Sequence, residues 1–293
     1  MNNYVMLIIS VSANLFGSIF KKDINSRYSQ DMFSYQLYNA VVSLFSMLVL
    51  LIMTDTFTAS PYTIILAVVF GIITLLQQLL NLYALENGPF SYTTVIISLS
   101  TLIPTLSGAL FWHEKIVFTQ YIGIALLIIC IVLSVNARGE KKANIKWLFF
   151  SVAAFICTGF IGVMQKIHQT SAYKNELDSF LIIAFFVSFL VSSVYSAFCY
   201  RKHKSVKSDV KSVLNIYPVA VMVISGVFVA VNNKFNLYLS GVMESAVFFP
   251  IVNGGGLILT SISAFVIFKE KLTKKQLSGI LIGIISVVLL CLK

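Results

Sequence analysis

The sequence predicts an all-α integral membrane protein in which ten transmembrane helices form an inverted 5+5 repeat. Three observations lead there: the composition, ten apolar runs of membrane-spanning length, and a set of motifs that recurs in both halves. The chain has 293 residues, 58% of them hydrophobic and only 11% charged, with a mean hydropathy of +0.91. A soluble domain carries about 25% charged and about 45–50% apolar residues. This chain lacks the polar surface to enclose itself. The lipid bilayer is therefore its first expected partner, as a multi-pass protein of a cell (plasma or inner) membrane.

A helix needs roughly 20 mostly apolar residues to cross the hydrocarbon core. Runs of that kind lie near 3–20, 32–53, 62–85, 90–112, 118–136, 145–165, 179–200, 213–239, 245–268 and 275–292. They are too long and too evenly apolar for the alternating strands of a barrel. The first run follows Met1-Asn2-Asn3 with no basic segment and no small-residue cleavage site, so it reads as a helix rather than a removed signal. Cys130, Cys157, Cys199 and Cys291 fall in or at the ends of runs without metal-ligand spacing and read as small buried hydrophobes.

The net charge of +10 invites a nucleic-acid reading, but the basic residues cluster in the connections between runs. One face collects sixteen Lys and Arg, in the loops holding Lys21, Arg138, Lys204 and Lys274 among others. The opposite face has four: Lys115, Lys166, Lys174 and Lys293. This bias puts the basic face in the cytoplasm and both termini outside, and no nucleic-acid partner is expected.

Internal similarity defines the architecture. Glu114-Lys115, Gln120 and Gly123 recur 156 residues later as Glu270-Lys271, Gln276 and Gly279. Asn81-Leu82-Tyr83 recurs 155 residues later as Asn236-Leu237-Tyr238, and Gly17 with Lys21 recurs 145 later as Gly162 with Lys166. The matches are collinear across two five-helix halves, 1–138 and 139–293, which form one transport unit. Because five is odd, the halves cross the membrane in opposite senses. Inverted repeats of this kind are a common design of secondary transporters, with the solute site near the midplane where the repeats meet.

On the helix count, the Glu-Lys signature after the fourth helix of each half, Pro104 and the Gly17 region, the whole chain resembles the EamA-like ten-helix transporters of the drug/metabolite transporter superfamily. The resemblance implies a permease that moves small metabolites by alternating access, without ATP, as a monomer or homodimer, with a coupling proton or an exchanged solute. It also implies that both termini face the cytoplasm, against the charge count.

Lys234 is the one charge clearly inside a run, and intramembrane charges generally face a cavity and serve function. The competing readings are a snorkelling lysine and pairing with Glu244. No carboxylate lies deep in a run, which leaves Lys234 to meet an anionic solute group. Asn232, Asn233 and Asn236 surround it, and their repeat counterparts are Gln77, Gln78 and Asn81. Spacing of i, i+4 makes each set a polar stripe, and amides in hydrocarbon need partners. The stripes line a shared cavity or bond helix to helix. Tyr83 and Tyr238 seal one end in the cavity reading. Ser10, Asn14 and Ser18, and Tyr35, Asn39 and Ser43, form two further stripes. Asn253-Gly254-Gly255-Gly256 after Pro250 permits close packing or a broken helix. Trp112 and His113 suit a membrane interface, and Gly279 with Gly283 suits helix packing or a second protomer.

The leading function is secondary active transport of a small anionic or zwitterionic metabolite, such as an amino acid or organic acid. The alternative is an exporter of organic cations or drugs that uses an aromatic-lined cavity. No catalytic, metal or cofactor motif is visible, so an enzyme is not expected.

Overall fold

The computed structural model describes residues 2–28, 32–133, 144–202, 215–266 and 273–292. Regular structure among the described residues is wholly helical. The helices are α1 (Asn3–Tyr28), α2 (Met32–Met53), α3 (Pro61–Asn87), α4 (Phe90–Ser98), α5 (Leu102–Phe111), α6 (Phe118–Leu133), α7 (Ile145–Gln169), α8 (Leu177–Lys202), α9 (Ile216–Val242), α10 (Ser245–Pro250), α11 (Gly256–Val266) and α12 (Lys274–Cys291). A 3₁₀ turn, Leu99–Thr101, joins α4 to α5, and a π turn, Ile251–Gly255, joins α10 to α11. Each composite is one span, so the twelve helices make ten spans. Eight of these are long and apolar enough to cross a membrane as described, and the apolar stretches Phe118–Leu133 and Ser245–Leu259 are shorter.

Exposure runs opposite to that of a soluble protein. Ile8, Ile65, Leu110, Phe118 and Val194 stand uncovered, while Ser10, Ser46, Ser192, Ser225 and Ser286 are buried. Apolar side chains point outward because lipid tails solvate them. Small hydroxyl residues sit between helices because they allow close approach and can bond across the contact.

The chain divides into two compact units. One comprises Tyr4–Leu75 and Ser171–Leu237, hence α1, α2, most of α3, α8 and most of α9. Here α2 runs beside α8, Ser46 Oγ on α2 donates to Gly226 O on α9 at 2.9 Å, and the Phe70 ring meets Phe180 edge-on with centroids 5.1 Å apart.

The other unit comprises Met1–Asn3, Leu76–Thr170 and Tyr238–Lys293. In it α6 pairs with α12, and α5 with α10. Ser286 Oγ donates to Gly123 O at 2.7 Å. A Cβ on Gly283 would lie 2.6 Å from Cys130 Sγ, so this glycine of the Gly279/Gly283 pair packs a helix of the same chain. Cys130 is fully enclosed there, whereas Cys291 is exposed rather than buried, because it lies at the very end of α12.

The two composite spans have local causes. Pro104 has no N–H to give to the carbonyl four residues earlier, and the preceding turn tightens to 3₁₀. Pro250 likewise withholds a donor, and the glycines after it admit the wider π turn. The Asn253–Gly256 stretch thus combines both alternatives: the helix is locally broken, and Gly254 also packs against Leu127.

Candidate functional site

Lys234 stands on α9, eight residues before Val242, or about 12 Å along the axis. Its ammonium lies 2.9 Å from Asp178 Oδ1 and donates to Asp178 Oδ2 at 3.0 Å. Asp178 is in the first turn of α8, where the helix dipole favours a carboxylate. About a quarter of each side chain remains accessible. This corrects the sequence expectation that no carboxylate neutralises Lys234. The lysine stem bridges to the start of the neighbouring helix, a contact that a pass along one chain at a time does not reveal. Glu244, the other partner considered, accepts a hydrogen bond from Gln120 Nε2 at 3.3 Å.

Beside this pair on α9 lies an amide cluster. Ser10 Oγ on α1 is 2.7 Å from Asn236 Oδ1 and 3.0 Å from Asn232 Oδ1, and Asn236 Nδ2 donates to Asn232 Oδ1 at 3.1 Å. The i, i+4 stripe on α9 is therefore a bonded unit joined to the polar stripe of α1. Asn233 turns away and donates to its own backbone at Val229 O, 2.9 Å. Asn14 is half-buried one turn beyond Ser10. On α2, Tyr35 meets Lys21, whose ammonium is 3.5 Å from the phenol oxygen and 5.0 Å from the ring centroid. Asn39, one turn on, is 7% exposed.

The other unit holds a second, tighter ion pair that sequence reasoning missed. Lys166 Nζ, at the end of α7, is 2.6 Å from Glu114 Oε1, with only 5% and 14% of the two side chains exposed. Lys166 also donates to Met243 O at 3.1 Å, and Glu114 Oε2 accepts from Ser245 N at 2.7 Å. Three connections meet there: the one after α5, the one after α7, and the one between α9 and α10. His113 adopts φ 53°, a left-handed conformation that reverses the chain after α5 and delivers Glu114 to this junction. Glu114 N and Trp112 N both bond Gly108 O, at 3.2 and 3.1 Å, and Trp112 Nε1 donates to Thr170 Oγ1 at 3.0 Å. The available signal was Lys166 itself, a charge near the end of an apolar run that matches Lys21 in the repeat.

The same unit shows what the two recurring glutamines do. Gln120 and Gln276 each occupy the third position of a helix, α6 and α12. Their Oε1 atoms accept from Val117 N at 3.1 Å and Thr273 N at 2.9 Å. Gly123, three residues on, admits α12, since a Cβ there would lie 2.8 Å from Leu290 Cγ. Glu270 and Lys271 lie outside the described residues.

This arrangement of spans, paired charges and recurring helix-start glutamines can be set beside known proteins. Residues 3–136 match the EamA-like transporter family. The match covers the first five spans, a little under half of the chain. That family is one of membrane transporters, and eight helices of this chain are long and apolar enough to cross a membrane. A solved crystal structure, titled only "Crystal structure of protein", superposes with a TM-score of 0.70 at 12% identity over 98% of each chain, a likeness of fold. A search of curated proteins finds no significant sequence match.

The remaining sequence-predicted residues lie on α3. Gln77, Gln78, Asn81 and Tyr83 belong to the compact unit that holds Leu76–Thr170, whereas Asn232, Asn233 and Asn236 fall in the other unit. Gln78 Oε1 is buried without a hydrogen-bond partner among the described residues. Tyr83 stacks obliquely on Phe150 at 5.4 Å, and Tyr238 is exposed.

Proposed function

We propose that the chain is a secondary transporter that moves a small zwitterionic or anionic metabolite by alternating access between two inverted five-helix repeats. The observation that carries the reading is the Lys234–Asp178 pair, partly open and flanked on α9 by the Ser10–Asn232–Asn236 cluster. A zwitterion, such as an amino acid, supplies a carboxylate for Lys234 and an ammonium for Asp178. Both partners of the pair are then replaced at once, and no charge is left unpaired in a poorly solvated place. A simple anion would strand Asp178, so charge balance favours the zwitterion.

Pairing of repeat mates supports the inverted architecture. Spans two and seven (α2, α8), five and ten (α6, α12), and four and nine (α5, α10) would be equivalent under the 5+5 symmetry, and each pair is in contact. A two-fold axis in the membrane plane places some equivalent helices side by side. Spans four and nine are also both interrupted, at Leu99–Thr101 and Ile251–Gly255. Broken spans of this kind expose backbone dipoles to a solute and permit rocking. Lys166, Glu114 and the connection after α9 act in this reading as a latch that opens and closes with the cycle.

A panel of amino acids, dicarboxylates and quaternary ammonium compounds, read by thermal stabilisation of the purified protein, tests the assignment. Stabilisation by zwitterions above the others is expected. Stabilisation by quaternary ammonium compounds alone would favour the organic-cation exporter.

A further inference from the structure

We infer that Lys21, Tyr35 and Asn39 form an oxyanion-binding site near the end of the first span, separate from the Lys234–Asp178 pair. Two lysines enclosed in other spans are neutralised, Lys166 by Glu114 and Lys234 by Asp178. Lys21 is different. Among the described residues no carboxylate lies in ion-pair range of it. Its neighbours are phenols: the ammonium donates to Tyr35 O at 3.5 Å and stands over the same ring. Asp23, the nearest acid in sequence, accepts from Tyr217 OH at 2.9 Å.

The donor balance of the cluster points to an anion. Lys21 has further ammonium protons to give after the bond to Tyr35, and the phenol, having accepted that bond, retains its own O–H. Asn39 lies one turn farther along the same face of α2, where side chains at i and i+4 stack. It is 7% exposed, and its Nδ2 has no hydrogen-bond partner among the described residues. A buried amide donor without an acceptor is unfavourable unless something occupies the position. Ammonium, phenol and amide all present protons, so the ligand that completes them is a carboxylate or phosphate oxygen. Along α1 the site is about 16 Å from Ser10, which bonds the amide cluster near Lys234. It is therefore a second locus in the same unit, toward the loop that joins α1 and α2.

The oxyanion can come from a dissolved solute or from a lipid headgroup, and one experiment separates the sources. The full chain is reconstituted in phosphatidylcholine nanodiscs, and thermal unfolding is followed with acetate or inorganic phosphate against chloride at matched ionic strength. A parallel set of nanodiscs contains phosphatidylglycerol. Stabilisation of the wild type by acetate or phosphate, lost in Lys21→Met, assigns the site to a dissolved anion. Stabilisation by phosphatidylglycerol alone, again lost in Lys21→Met, assigns it to a lipid phosphate. Asn39→Leu keeps the volume and removes the donor, and it should weaken the apparent affinity by about tenfold, which covers the case of a Lys21→Met chain that does not fold. No stabilisation from any source, or an unchanged response in both variants, would overturn the site.

Discussion

The Lys234 ammonium sits 2.9 Å from Asp178 Oδ1 and 3.0 Å from Oδ2, joining the C-terminal third of one apolar span to the first turn of another. Each side chain answers a charge that the other would leave unmatched. Asp178→Asn and Lys234→Met should each destabilise the protein by about 1.5–3 kcal/mol. The double variant should lose less than the sum, because neither charge is then stranded. Unfolding of purified single and double variants measures this coupling, and strict additivity would show that the two groups act independently.

The Lys166–Glu114 pair is more enclosed, and breaking it should cost about 3–5 kcal/mol. Glu114→Gln retains an acceptor for Ser245 N and should be milder than Glu114→Ala. Thermal unfolding of the two variants checks the order, and equal losses would assign the whole effect to charge.

Gly108 tests the same junction from the other side. A Cβ there would lie 2.5 Å from Ser245 Cβ and 2.6 Å from Ser245 Oγ, with the Glu114 carboxylate also in the way. Gly108→Ala should displace the connection between α9 and α10 and lower stability by more than a typical helix Gly→Ala change, which is otherwise slightly favourable. A neutral or stabilising result would mean that the connection can yield without loss.

Much of the architecture was legible in the sequence because hydrophobic run length is a direct consequence of membrane thickness. All ten spans lie near the positions that run length predicts, and the recurring Gln120 and Gln276 each occupy the third position of a helix and accept a bond from the backbone before it. The site was less legible. Lys234 and the Asn232/Asn236 stripe could be picked out because polar groups in an apolar run are conspicuous, but their partners Asp178 and Ser10 are distant in sequence and ordinary in their own surroundings. In sequence Glu114 stands out only as part of a recurring motif, and its contact with Lys166 depends on the left-handed turn at His113, which no composition signal announces.

The charge count predicts an orientation that labelling can test. If the sixteen-residue basic face is cytoplasmic, a tag placed after Lys293 should react with an impermeant reagent on intact cells. Labelling only after permeabilisation would reverse the assignment and agree with the usual arrangement that the family resemblance implies.

Exchange transport of a small zwitterionic metabolite through the Lys234–Asp178 site is tested most directly by counterflow in proteoliposomes. Vesicles loaded with unlabelled amino acids should accumulate the matching radiolabelled amino acid transiently, without ATP, and the Asp178→Asn/Lys234→Met protein should lose that accumulation while still inserting and folding. Accumulation by the double variant at the wild-type rate, or exchange of quaternary ammonium compounds but no amino acid, would contradict the account.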